Sequence, residues 1–177
     1  MKRRNFLASI AAVPMVASGI PSAMAGGRVH RIHGEIENVT SIGDCDIVSI
    51  NSLGGSVFRS LALHKDIADR GLDVHVSGTC AGASMLLLVA GSKRTCDPEA
   101  IFMFRKSRGV CFADTDSMYR RLLFNCDKAI VRVLSRFTLM DGGYIRRAMA
   151  GEWTIGAREA LAMGLVDEIV AHCQLST

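Results

Sequence analysis

Two adjacent glycines, Gly54 and Gly55, follow a short apolar segment from Ile47 to Ile50 and precede a helix-like segment that begins near Ser56. Where a strand ends in paired glycines and a helix begins, backbone N–H groups become available to a ligand, because glycine permits a sharp turn and a close approach. N–H groups held in this way stabilise negative charge on an oxygen, as in an oxyanion hole. The segment therefore predicts a site for an oxyanion or an anionic ligand.

Strand-like and helix-like segments alternate along the chain, which favours an α/β fold with a largely parallel sheet. The predicted strands are Arg28 to Ile36, Asp46 to Ile50, Leu72 to Val76, a short piece near Arg94, Ile101 to Phe104 and Leu165 to Val170. The predicted helices are Ser56 to Arg70, Gly82 to Ala90, Thr115 to Phe137, Ile145 to Ala150 and Ala157 to Met163. The first helix ends in Arg70 and Gly71, a basic last turn followed by a C-cap glycine.

Four segments match the motifs of one family in the same order. They are Asn51 to Val57, Gly78 to Gly91, Pro98 to Arg105 and Trp153 to Asp167. The first reads Asn-Ser-Leu-Gly-Gly-Ser-Val and resembles the Asn-Ser-Pro-Gly-Gly-Ser-Val signature of the Clp protease proteolytic subunit, with Leu53 in place of the proline. The last is also similar to signal peptide peptidases and, more loosely, to crotonases.

This resemblance, from about Ile47 to Val170, implies a ClpP/crotonase-like α/β fold, a spiral of β-β-α units with a long handle helix at Thr115 to Phe137. In one respect the chain departs from the family. The segment from Glu35 to Asp44 is too short for the helix that the family has before its second strand.

The resemblance implies three catalytic positions, none of which holds the family's residue. The nucleophilic serine falls on Gly82, four residues after Gly78, and the histidine base falls on Arg105, which stays protonated and cannot accept a proton. The aspartate falls on Gly151, with Glu152 beside it. All three roles of a serine-protease triad are therefore predicted to be lost.

Two functional hypotheses follow, and a third is weaker. In the first, a catalytically impaired protein binds a peptide or anion through Gly54, Gly55 and Arg105, or acts by assembly. In the second, an active serine endopeptidase uses Ser84 as nucleophile with an unorthodox base such as Lys106. Acyl-CoA chemistry on the crotonase fold would need no serine, but no pair of acidic residues is placed for proton transfer.

The first 25 residues resemble an export signal, since Lys2, Arg3 and Arg4 precede an apolar stretch that ends in Ala23-Met24-Ala25. The Arg3-Arg4 pair favours the twin-arginine route, and an ordinary secretory signal or a retained anchor is the alternative. The sequence thus predicts a cleaved signal at 1–25, one ClpP/crotonase-like domain at 26–177 and a bacterial periplasmic location. Removal of the signal leaves 18 basic residues against 17 acidic ones, which argues against nucleic-acid binding.

Six cysteines, all after the signal, are compatible with disulfides in an exported protein or with small buried hydrophobic residues. No Cys-x-x-Cys motif or Cys/His cluster indicates a metal, and neither a cofactor nor a membrane span after the signal is predicted. The family's relatives form rings through the handle helix and the closing helices, so a homo-oligomer is also expected. The apolar residues of the predicted handle helix fit either assembly or packing in the monomer's own core.

Overall fold

The computed structural model describes residues 27–108 and 117–170, which contain seven strands and five α-helices. The strands are β1 (Val29–Glu35), β2 (Ile47–Gly54), β3 (Asp73–Ala81), β4 (Arg94–Cys96), β5 (Ile101–Met103), β6 (Thr154–Gly156) and β7 (Glu168–Ile169). The helices are α1 (Val57–Arg70), α2 (Ser84–Leu88), α3 (Ser117–Phe137), α4 (Gly142–Ala150) and α5 (Ala157–Ala162). The predicted export signal, Cys111 and Cys173 lie outside the described residues.

The strands form one mostly parallel sheet in the order β1-β2-β3-β4-β7. Strand β3 is long enough to pair with two successive strands on one side: Val74–Val76 pair with β4, and Thr79–Ala81 pair with β5. Strand β6 then pairs with β5 in the antiparallel direction. Together with the helices, this arrangement confirms the predicted α/β class with a largely parallel sheet.

Strands β2 and β3 extend further than their hydrophobic patterns predict, to Gly54 and Ala81 instead of Ile50 and Val76. Their pairing shifts register between Ile50 and Ser52, and polar and small residues continue both strands beyond the shift. Helix α2 is shorter than predicted because Gly82, with φ of +55°, turns the chain before the helix begins at Ser84. Strand β6 has no counterpart among the predicted strands.

Local signals in the sequence explain the boundaries of α1. Ser56 caps its N-terminus by accepting a hydrogen bond from the Arg59 N–H. Gly71 ends it in the left-handed conformation, as predicted, with its N–H directed to the carbonyls of Ala68 and Ile67. Between β1 and β2 lies a single short 3-10 turn, Ile36–Asn38, which confirms that the chain lacks the family's helix there.

The core lies between the apolar face of the sheet and helices α1 and α2. Every residue of α2 is buried, and the largest fully buried side chains include Ile50, Ile67, Met85 and Phe102. Helix α3 packs through the buried side chains of Cys126, Ile130, Val131 and Leu134, whereas Met118, Leu122 and Phe124 remain exposed. The N-terminal half of the handle helix therefore carries exposed apolar side chains in the part of the chain that the structure describes. No helix in the described ranges is long and apolar enough to cross a membrane.

Candidate functional site

The carboxyl ends of four parallel strands, β1, β2, β3 and β5, open into one cleft that α3 covers on the far side. The cleft has a volume of about 760 Å³. Its lining includes Gly54, Gly55, Gly82 and Arg105, so the predicted anion-binding residues and two of the three predicted triad positions come together. Open α/β sheets commonly bind ligands at this edge.

Gly54 allows the ends of β2 and β3 to approach closely. Its φ is +101°, and a Cβ at this position would stand 2.6 Å from the Ala81 carbonyl oxygen, so no side chain fits. The Gly54 N–H donates to Ser52 Oγ at 3.1 Å and is therefore already occupied. Gly55, with φ of +140°, lies against the Glu37 carboxylate, so a Cβ there would displace that exposed side chain.

Gly82 forms the turn between β3 and α2, and its N–H donates to the Met103 carbonyl at 2.9 Å. A Cβ on Gly82 would point towards Arg105 and stand 3.7 Å from the Arg105 Cβ. The positions that correspond to the family's nucleophile and base therefore face each other, although one has no side chain and the other carries a fixed positive charge.

The segment from Arg105 to Arg108 is fixed at both ends. The Phe104 N–H donates to the Trp153 carbonyl at 2.8 Å, and the Ser107 N–H donates to Asp127 Oδ1 on α3 at 2.7 Å. Ser107 Oγ is buried and has no hydrogen-bond partner among the described residues, although Ser107 lines the cleft. Backbone anchoring of this kind holds the basic side chains of the segment over the cleft.

The third triad position lies beyond the lining of the cleft. A Cβ on Gly151 would collide with the Trp153 indole. Glu152, next to it, has an unusual φ of +51° and forms an ion pair with Arg108. The carboxylate near the family's aspartate position thus contacts a guanidinium instead of a histidine.

Ser84 lies beneath the turn and not in the cleft. It is 0% exposed, and its Oγ donates to the Ala81 carbonyl at 2.8 Å, with the Ser52 carbonyl at 3.3 Å and Cys80 Sγ at 3.4 Å. Lys106 is on the cleft lining, so the structure does not bring Ser84 and Lys106 into one site. A nucleophile needs access to its substrate, and this hydroxyl has none in the described arrangement.

Neither histidine near the predicted motifs lines the cleft. His64 Nδ1 is 2.7 Å from the Leu86 carbonyl oxygen. His75 is buried between two strands, with Nδ1 2.9 Å from Thr95 Oγ1 and Nε2 3.3 Å from Asp97 Oδ1. Sequence reasoning missed this polar cluster because the three residues become neighbours only through the register of β3 with β4.

Cys126 is the thiol on the cleft lining. Burial, and then the nearby Asp127, raise the pKa of this thiol above its usual value of 9.0. It is therefore protonated at neutral pH and a poor nucleophile. All four described cysteines, Cys45, Cys80, Cys96 and Cys126, are free and buried.

Sequence reasoning also missed two acidic residues of the cleft, Glu35 and Glu37. Glu35 ends β1 and Glu37 belongs to the 3-10 turn, so both lie on the side of the cleft away from Arg105. These residues reach the cleft because β1 lies beside β2 in the sheet, and the sequence does not show this order of the strands. The described ranges contain no group of three or more His, Cys, Asp or Glu residues arranged to hold a metal ion.

Comparison with known proteins identifies the family. The family model of the Clp protease matches residues 37–173. The chain is 30% identical over 133 residues to the ATP-dependent Clp protease proteolytic subunit 2 of Chlamydia pneumoniae. The aligned region covers 72% of this chain and 66% of that relative. It is 28% identical to subunit 2 of Chlamydia trachomatis serovar D and 29% identical to subunit 1 of Chlamydia felis, with the same coverage.

The chain thus spans just under two thirds of the length of these relatives. The matched range includes the glycine pair, the Gly82 turn, the Arg105 segment and the handle helix. The parallel sheet and the site at the ends of its strands agree with the family's motifs. The chain therefore belongs to the Clp protease family.

Proposed function

We propose that this chain is an exported, catalytically impaired member of the Clp protease family that binds peptides or anionic groups in its cleft. One observation carries the proposal. A Cβ on Gly82 would stand 3.7 Å from the Arg105 Cβ, so the positions of the family's serine and histidine are adjacent but hold a glycine and an arginine. The cleft persists, while the groups that would attack a carbonyl and move its proton are replaced.

Neither Cys126 nor Ser84 takes over the missing roles. The Cys126 thiol has a raised pKa, and Ser84 is buried with its hydroxyl bonded to a carbonyl. The described histidines near the motifs, His64 and His75, contact backbone or buried polar groups away from the cleft. The alternative hypothesis, an endopeptidase that uses Ser84, would therefore require Ser84 to move to the surface.

Binding is supported by the charges that remain. Arg105 and Lys106 line the cleft, and neither forms an ion pair with another described residue. The first turn of α1, with Ser56 as N-cap, lines the same cleft and adds the favourable end of a helix dipole. A carboxylate entering here gains charge-assisted hydrogen bonds.

A fluorophosphonate probe tests the loss of hydrolysis on the purified protein. We expect no labelling of the wild type or of Ser84→Ala under conditions that label an active serine protease completely. Stoichiometric labelling that disappears in Ser84→Ala would overturn the proposal in favour of the active endopeptidase. A casein digest run in parallel checks that a negative result with the probe also means no cleavage.

Export is the second part of the proposal and is supported by the Arg3-Arg4 pair before the apolar stretch. Cell fractionation tests it, with an Arg3→Lys/Arg4→Lys variant as the control. We expect the wild type in the periplasmic fraction and the variant in the cytoplasm. Equal periplasmic amounts of both would favour an ordinary secretory signal, and a cytoplasmic wild type would contradict export.

A further inference from the structure

The cleft carries opposite charges on its two sides. Glu35 and Glu37 lie on one side, and Arg105 and Lys106 lie on the other. None of these four side chains forms an ion pair with another described residue. Charges kept apart in this way across a cleft suit a ligand that carries both signs.

The strand order fixes the separation of the two sides. Glu35 ends β1 and Arg105 follows β5, and β2 and β3 lie between these strands. Neighbouring strands are about 4.8 Å apart, so three spacings separate the two backbones by roughly 14 Å. An extended peptide covers about 3.3–3.6 Å per residue, and the charged side chains reach inward from both sides. A ligand of about two to four residues therefore fits between them.

The surfaces between the charges suit a peptide backbone and an apolar side chain. Gly82 has no side chain, and a Cβ there would meet only the Arg105 Cβ within 4 Å, so a peptide backbone can approach this turn closely. Leu53, Phe58 and Leu122 line the cleft and are 59%, 63% and 42% exposed, so they offer apolar contacts to an incoming side chain.

We propose that the cleft binds short peptides of about two to four residues by their free ends. The α-amino group faces Glu35 and Glu37, and the α-carboxylate faces Arg105 and Lys106. This inference rests on the proposed binding function and adds the class of ligand and its direction. It differs from binding an internal stretch of a longer polypeptide, which has no terminal charge to place at either side.

Titration calorimetry with the full chain tests the inference, using Ala-Leu-Ala with free ends, with an acetylated amino end, with an amidated carboxyl end and with both ends blocked. We expect each single block to weaken binding about tenfold and the double block to weaken it further. Raising the salt concentration should weaken binding of the free peptide most, since screening acts on exposed charges.

Two variants assign the ends. Arg105→Gln should weaken binding of the free peptide about tenfold and leave binding of the amidated peptide nearly unchanged. Glu37→Gln should weaken binding of the free peptide about tenfold and leave binding of the acetylated peptide nearly unchanged. Arg158→Gln and Glu99→Gln, exposed residues outside the cleft lining, are the matched controls and should change nothing.

The outcomes separate the two proposals. If doubly blocked and free peptides bind within twofold of each other, recognition of free ends is wrong, and peptide binding in the cleft stands. If Arg105→Gln weakens binding of the amidated peptide as much as that of the free one, the proposed direction is wrong. If no peptide binds, both the inference and peptide binding in the cleft are overturned, whereas the loss of hydrolysis is judged by the fluorophosphonate result.

Discussion

Gly82 and Arg105 face each other across the floor of the cleft, with 3.7 Å between the Arg105 Cβ and the place of a Cβ on Gly82. In a serine protease these two places need a hydroxyl and a neutral imidazole that accepts its proton. Here the pair offers a left-handed glycine and a permanent cation. The two positions are adjacent, and Arg105 is suited to binding a negative charge.

Restoring the first two of the three lost side chains tests whether these two are enough for reactivity. A Gly82→Ser/Arg105→His variant should react with a fluorophosphonate probe at the introduced serine, while the wild type does not react. The left-handed φ of Gly82 makes the serine cost about 1–2 kcal/mol in stability. Adding Ser84→Ala to the variant should leave labelling unchanged because Ser84 is buried below the turn. A well-folded double variant that stays unlabelled would mean that the cleft lacks more than these two groups.

Gly54 and Gly71 allow a matched test of the close approach between β2 and β3. Both have positive φ, but a Cβ on Gly71 meets nothing within 4 Å, whereas on Gly54 it would be 2.6 Å from the Ala81 carbonyl oxygen. Gly71→Ala should lower the free energy of unfolding by about 1–2 kcal/mol, the cost of the left-handed conformation. Gly54→Ala should cost several kcal/mol because backbone must also move. Urea denaturation measures both, and equal losses would contradict the crowding at Gly54.

The part of this site that the sequence predicted follows from local chemistry. The glycine pair, the turn at Gly82 and the capping of α1 by Ser56 and Gly71 each involve residues within a few positions of each other. Distance along the chain explains what was missed. Glu37 reaches the cleft only because β1 lies beside β2, and β6 forms only because β5 offers it an edge. Neither relationship leaves a periodic pattern in the sequence.

Ser84 illustrates the same limit. Its position two residues after Gly82 makes it the nearest hydroxyl and hence a candidate nucleophile, although two helical positions turn a side chain by roughly 200° and would direct the two residues to different faces. The structure adds what surrounds it: three buried groups within hydrogen-bond reach and no exposed surface. Burial of a single polar side chain depends on the whole fold and cannot be inferred from spacing.

The buried cluster of His75, Thr95 and Asp97 should contribute to stability. Thr95→Val keeps the shape of the side chain but removes the hydroxyl 2.9 Å from His75 Nδ1. Leaving a buried polar group without its partner costs about 1–3 kcal/mol, so the free energy of unfolding should fall by that amount. Thr154→Val, at an exposed position of β6, is the control and should change stability by less than about 0.5 kcal/mol. An unchanged midpoint for Thr95→Val would show that the hydrogen bond contributes nothing.

We propose that helix α3 carries a contact surface between copies of the chain, in the homo-oligomer expected from the family. Met118 and Phe124 are 78% and 58% exposed, an unusual exposure for large apolar side chains. Light scattering of the wild type should give a mass above that of one chain, and Met118→Ser/Phe124→Ser should shift it towards the monomer. Replacing the exposed Arg132 by Ser serves as the control on the same helix. A wild type that is monomeric at all concentrations would remove this proposal.

The ion pair of Asp167 with Arg94 should make the protein less stable in acid. Burial raises the pKa of its carboxyl, but the hydrogen bonds and charge of Arg94 lower it more, so the pKa lies below its ordinary value of 3.8. The carboxyl of Asp167 therefore binds a proton more readily in the unfolded chain than in the folded one. Its contribution to the free energy of unfolding is complete above its unfolded pKa and is lost as pH falls through its folded pKa. Asp167→Asn should destabilise the protein at pH 7 and flatten the acid limb of its stability curve. Asp69→Asn, which removes only an exposed ion pair with Lys65, is the control. Parallel acid limbs for wild type and Asp167→Asn would contradict the prediction.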